Sequence, residues 1–160
     1  SSLKTLDINT IDQMIYNSVF LKNSIVLKDL KEKNIRKILN FGHTLGHALE
    51  SSYLGSKKEL LHGEAIAIGM ILESFLSYKI LGLRYDDLIN ITKTIIHFFK
   101  KIKIDDSQII KIISLLKHDK KTIGGKINFV LLNGISNPEI DILVDKSLIN
   151  EAFDFYYNLS

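Results

Sequence analysis

Arg36-Lys37-Ile38-Leu39-Asn40-Phe41-Gly42-His43-Thr44-Leu45-Gly46-His47-Ala48-Leu49-Glu50, followed by Leu61-His62-Gly63-Glu64, contains three of the chain's five histidines. The spacing predicts a helix from Ile35 to Tyr53, preceded by Asn34 as a left-handed helix stop and ended at Gly55. A short polar loop, Gly55 to Leu61, leads to a helix from His62 to Leu81 that Gly82 ends. Ala65, Ile66, Gly69 and Met70 make that helix apolar nearly all round, which suits the middle of a bundle.

Outward from this pair, Ile11, Ile15, Val19, Val26 and Leu30 predict a helix from Thr10 to Leu30, with Thr10 and Gln13 as a capping box. Two amphipathic helices fit Asp86 to Phe99 and Ser107 to Leu116, and Asp145 caps a last one. Between them, Gly124-Gly125 and the β-forming Ile127 to Leu132 predict a small hairpin within Lys120 to Leu132. The expected class is mainly α: one helical bundle over residues 1–160 with a minor β-hairpin.

With 46% hydrophobic and 24% charged residues, no cysteine and one proline, the 160-residue chain is neither disordered nor a disulfide scaffold. Folding at this length buries roughly 70% of the unfolded surface, enough for a core without a metal staple. The net charge of +3 is spread along the sequence, which argues against nucleic-acid binding. No apolar stretch approaches the ~20 residues of a membrane helix, and a cytoplasmic protein is expected. The start at Ser1-Ser2, without methionine, suggests a processed or truncated piece.

On one helix His43 and His47 share a face, as do Arg36 with Asn40 and Gly42 with Gly46. Glycines inside a helix cost about 1 kcal/mol each unless something must approach closely. Neutral imidazoles suit zinc or another divalent transition metal, and a helix–loop–helix return brings His62 to the other two. Spacing alone makes His43, His47 and His62 three candidate ligands. His97 reads as a helix-face residue, and His118-Asp119 matches a ligand pair of HD-type phosphohydrolases. Lys120 and Lys121 read as either solvated hairpin charges or phosphate contacts.

Arg36-x-x-x-Asn40-Phe41-Gly42-His43-Thr44-x-Gly46-His47-Ala48-x-Glu50, then His62-Gly63-Glu64-Ala65-x-Ala67-x-Gly69-Met70, then Asp119-Lys120-Lys121 ahead of Phe129-Val130-Leu131-Leu132, together resemble 3-dehydroquinate synthase. The resemblance runs from about Ser18 to Leu132 and corresponds to that enzyme's C-terminal, helical domain; its N-terminal NAD-binding domain has no counterpart in the chain. It implies a lyase using NAD and zinc or cobalt to turn 3-deoxy-D-arabino-heptulosonate 7-phosphate into 3-dehydroquinate and phosphate, on the way to chorismate and the aromatic amino acids. It further implies His43 and His62 as metal ligands and His47 as a proton-transfer residue near the substrate phosphate, which revises the three-ligand reading. Glu32 falls on a second acid/base position, and Lys22, Arg36, Asn40 and Lys121 (or Lys120) on substrate-binding positions.

The resemblance also implies a third ligand, a glutamate, with a companion lysine upstream; neither has a matching position before Lys22. The loop with Lys57 and Lys58 is longer than usual, and Asn34 replaces a glycine. Gly124-Gly125 precedes a strand rather than a helix and so makes no NAD turn. The isolated chain is therefore expected to be inactive, its partners being a phosphorylated sugar acid, its own N-terminal domain and a second copy in a homodimer. Rival readings are a related sugar-phosphate cyclase or metal-dependent alcohol dehydrogenase, an HD-type phosphohydrolase, and a non-catalytic helical module.

Overall fold

The computed structural model describes residues 7–56, 59–118, 122–123 and 126–159. Six helices carry most of it: α1 (Ile8–Lys28), α2 (His43–Tyr53), α3 (His62–Leu81), α4 (Tyr85–Phe98), α5 (Asp106–His118) and α6 (Lys146–Tyr157). Strands β1 (Thr122–Ile123), β2 (Lys126–Leu132) and β3 (Pro138–Val144) form an antiparallel sheet in the order β1-β2-β3. The mainly α class holds, and the hairpin is present as β1 paired with β2. Its Gly124-Gly125 turn lies outside the described residues.

β3 was not foreseen: its Ile140, Ile142 and Val144 alternate with Glu139 and Asp141, but the strand opens on Pro138, which lacks a ladder donor. It pairs with β2 from Ile127↔Val144 to Leu132↔Pro138, with an irregularity between Phe129 and Leu131.

α3 lies at the centre, as its composition predicts, packed against α2, α4, α6 and β2. Leu45 and Leu49 of α2, Ile71, Leu72 and Leu76 of α3, Ile112 of α5, Phe129 and Leu131 of β2 and Ile149 of α6 share one buried core. Each buried side chain of this size is worth about 1.5–3 kcal/mol relative to exposure, which is what holds the two histidine-bearing helices against each other.

α1 departs from the expected course. Asp7, not Thr10, caps it, accepting the Asn9 and Thr10 N–H groups at 2.9 and 3.0 Å, while Gln13 bonds to Asn17 instead. None of its residues is buried, and Ile15 and Val19 stand exposed. It ends at Lys28, where the Asp29 carboxylate accepts the N–H groups of Lys33, Asn34 and Arg36 at 3.1, 2.7 and 3.1 Å and so folds the junction around itself. Those N–H groups, Asn34 first, hold its carboxyl below the usual range. The left-handed residue at this junction is Glu32 (φ 52°), not Asn34 (φ −136°).

The predicted helix Ile35–Tyr53 is broken in two. Ile35–Asn40 forms a 3-10 turn, Gly42 adopts a left-handed conformation (φ 81°), and α2 begins only at His43. Gly42 and Gly46 therefore do not share a helix face. α6 begins after Asp145 as expected, although its side chain makes no capping bond.

Candidate functional site

α2 presents His43 and His47 one turn apart, and His62 arrives as the first residue of α3. Each of the three imidazoles offers one ring nitrogen within 4.8 Å of the other two. Ring centroids lie 5.3 Å apart for His43–His47, 5.8 Å for His43–His62 and 5.6 Å for His47–His62. His43 is half-buried, and His47 and His62 are exposed, so the cluster opens to solvent. A set of converging imidazoles fits zinc or cobalt by ligand type.

The rings of His62 and His43 are oriented by outer partners. Nδ1 of His62 sits 3.1 Å from Oε2 of Glu50, and Nδ1 of His43 sits 3.2 Å from the carbonyl oxygen of Phe41. Both partners are oxygens that can only accept, so Nδ1 faces each as the donor and Nε2 is the ring nitrogen left for another partner. Glu64 has a structural role: its carboxylate accepts the Leu61 N–H at 2.9 Å and closes the start of α3.

The close helix approach that brings these rings together is made by glycines. A Cβ on Gly46 would lie 2.6 Å from Ile66 Cδ1, and one on Gly69 would collide with the Gly42 carbonyl. Gly42 has the further need of its positive φ.

In the segment before α2, Asn40 donates from Nδ2 to Glu32 Oε1 at 2.8 Å, and Arg36 Nε lies 3.6 Å from Glu32 Oε2. Arg36 also donates to the Leu30 carbonyl at 3.1 Å. Glu32 and Asn40 line a cleft of about 200 Å³ together with Lys37, Thr44, Asn128 and Asp141. Asp141 accepts from Lys37 at 2.8 and 2.9 Å and from Asn128 at 2.9 Å, and these contacts, Lys37 first, lower its carboxyl pKa. A larger cavity of about 650 Å³, lined by Lys101, Asp105, Ile109, Phe153 and Tyr156, takes in none of the histidines.

The structure thus brings together His43, His47 and His62, and separately Glu32, Arg36 and Asn40. Lys22 stands exposed on α1 and is in neither set. Lys121 and Asp119 lie outside the described residues, as do Lys57 and Lys58. His97 is an exposed residue of α4 against Phe98, as predicted.

Sequence reasoning missed Glu73. It is fully buried on α3, and its carboxylate accepts the Gly42 N–H at 2.6 Å and the Leu45 N–H at 3.1 Å, the open donors at the start of α2. The available signal was its isolation: between Glu64 and Lys79 it is the one charged residue of α3.

Among known proteins, the 3-dehydroquinate synthase C-terminal family matches residues 1–122. A 3-dehydroquinate synthase of Parabacteroides distasonis is 37% identical over 154 residues, covering 96% of this chain and 44% of the relative. Another, from Dictyoglomus thermophilum, is 39% identical over 150 residues, covering 93% of this chain and 41% of the relative. The chain thus spans less than half the length of these relatives. A solved 2-deoxy-scyllo-inosose synthase, complexed with carbaglucose-6-phosphate, NAD+ and Co2+, superposes with a TM-score of 0.77 at 26% identity, covering 90% of this chain and 40% of that one. With its histidines converging across α2 and α3 and its sequence matched from Ser1 through residue 122, the chain belongs to the 3-dehydroquinate synthase C-terminal family.

Proposed function

We propose that the chain is the metal- and substrate-binding part of a 3-dehydroquinate synthase, which converts 3-deoxy-D-arabino-heptulosonate 7-phosphate into 3-dehydroquinate and phosphate in the shikimate pathway. The observation that carries this reading is the convergence of His43, His47 and His62 within 4.8 Å in a member of this family.

His43 and His62, each with Nδ1 turned to a protein acceptor, would hold the divalent cation, and His47 moves a proton near the substrate phosphate. Arg36 and Asn40 bind substrate, the guanidinium matching a carboxylate, and Glu32 between them is the second acid/base group. Lys22 and Lys121 are further substrate-binding residues on this reading. When bound, zinc or cobalt would polarise the substrate hydroxyls while NAD, carried by a separate N-terminal domain, would accept and return the hydride. The third ligand that the resemblance implies, a glutamate upstream, has no matching position before Lys22, and on this reading the isolated chain is inactive. The full protein works in the cytoplasm as a homodimer.

The test is phosphate release by the encoded full-length protein, given NAD, zinc and 3-deoxy-D-arabino-heptulosonate 7-phosphate, beside its His43→Ala and His62→Ala variants. Turnover that collapses in both variants is expected. A folded, zinc-loaded parent without turnover would overturn the reading in favour of a related sugar-phosphate cyclase, which the likeness to 2-deoxy-scyllo-inosose synthase makes the second choice.

A further inference from the structure

The Phe41–Gly42 peptide is held from both sides. Its N–H donates to Glu73 Oε2 at 2.6 Å, and its carbonyl faces Nδ1 of His43 at 3.2 Å. A fully buried carboxylate, one peptide group and one imidazole therefore form a continuous hydrogen-bonded chain. We infer that Glu73 is a positioning residue for His43, acting through this peptide to keep the ring in its Nδ1–H tautomer with Nε2 as the free lone pair.

The physical case has three parts. Each carboxylate oxygen of Glu73 faces an N–H and so can only accept there, which gives the N–H groups of Gly42 and Leu45 one way to face it. This fixes the left-handed turn at Gly42, and hence the direction of the Phe41 carbonyl. Hydrogen bonds in series also polarise one another, so an N–H drawn toward a carboxylate oxygen makes the carbonyl of the same peptide a stronger acceptor. Lastly, that carbonyl can accept a hydrogen bond but not donate one, so the nitrogen facing it must carry the hydrogen.

His62 has the simpler version of this device, with Glu50 directly on Nδ1 at 3.1 Å. Both proposed ligands are thus backed by a carboxylate, one at first hand and one through a peptide. The metal arm of the inference rests on the proposed function; the tautomer arm stands without it.

The test uses the full-length protein labelled with nitrogen-15 histidine, metal-free and at pH 8, together with zinc titration against a competing chelator. In the parent, His43 is expected as the Nδ1–H tautomer. Glu73→Gln, at unchanged helix content, is expected to shift His43 toward a mixture of tautomers, leave His62 as it was, and weaken zinc binding about 10-fold or more. Glu50→Gln is expected to move His62 and not His43. An Nε2–H tautomer for His43 in the parent overturns the inference whatever the variants do. So does a folded Glu73→Gln protein with His43 unchanged, even if zinc affinity falls, because Glu73 would then act on the fold alone. If Glu73→Gln does not fold, Glu73→Asp, which withdraws the carboxylate from Gly42, is judged by the same shift of His43. A parent with the expected tautomer and response that binds no zinc supports the role of Glu73 and removes the metal reading instead.

Discussion

Gly69 lies against the backbone of Gly42, so that a Cβ built on Gly69 would collide with the Gly42 carbonyl oxygen and lie 2.8 Å from the Gly46 nitrogen. No flexible side chain is available to give way there. Gly69→Ala is expected to destabilise the protein by about 1–3 kcal/mol, the usual cost of overpacking, and to weaken zinc binding at the proposed site, because the helices carrying the histidines must separate. Urea unfolding measures the first and chelator competition the second. Gly63→Ala is the comparison: nothing lies within 4 Å of its added Cβ, and its midpoint should be unchanged or higher.

Glu50 reaches Nδ1 of His62 across the gap between α2 and α3. Replacing such an outer partner typically costs 10- to 100-fold in metal affinity. Because Gln keeps an acceptor oxygen, Glu50→Gln should fall near the lower end, about 10-fold, with the far-ultraviolet circular dichroism unchanged. An unaltered zinc affinity would show the contact to be a surface pairing without effect on the site.

Arg36 lies 3.6 Å from Glu32, which also holds Asn40. A guanidinium and an ammonium carry the same charge but differ in their fork of donors. On the proposed function, Arg36→Lys in the full-length protein is therefore expected to raise KM for 3-deoxy-D-arabino-heptulosonate 7-phosphate about tenfold or more, the worth of one charged hydrogen bond, with a smaller effect on kcat. Steady-state kinetics separate the two, and a pure kcat loss would place Arg36 in the chemistry rather than in substrate binding.

Asp141 clamps β3 to the 3-10 turn through Lys37 and to β2 through Asn128. Its carboxyl is lowered from 3.8, the Lys37 hydrogen bond being the largest cause. The folded state thus binds its proton less readily than the unfolded one. Its contribution is present above about pH 4 and is lost as pH falls through the lower folded value. For a pair this exposed the size is about 0.5–1 kcal/mol. Asp141→Asn should cost that much at pH 7 and almost nothing near pH 2, as measured by urea midpoints at both values.

Legibility followed the range of the forces involved. α3 was readable end to end because its signals are local: apolar residues on every side, Glu64 at one end and Gly82 at the other. The meeting of His43, His47 and His62 was readable too, since it needs only a one-turn spacing and a short return loop. The break at Phe41–Gly42 was not, because a helical pattern runs through Arg36 to Glu50 and what interrupts it is a carboxylate 31 residues further along. α1 shows the opposite failure: its apolar periodicity is plain, yet none of its residues is buried among the described residues. Glu32 and Asn40 found each other through the turn that Asp29 folds, a use of aspartate that periodicity does not report.

The bond between Gly42 and Glu73 also orders events in time. A His43/His47 pair can arise in any transient turn of helix within microseconds, but the turn that presents it closes only when residues 28 and 31 positions apart have met. Closing such a loop carries an entropic cost that local helix formation does not. Full zinc affinity should therefore emerge late in refolding, with the docking of α3 rather than with the appearance of helix, so that a zinc-responsive signal would time the native packing of this protein's centre.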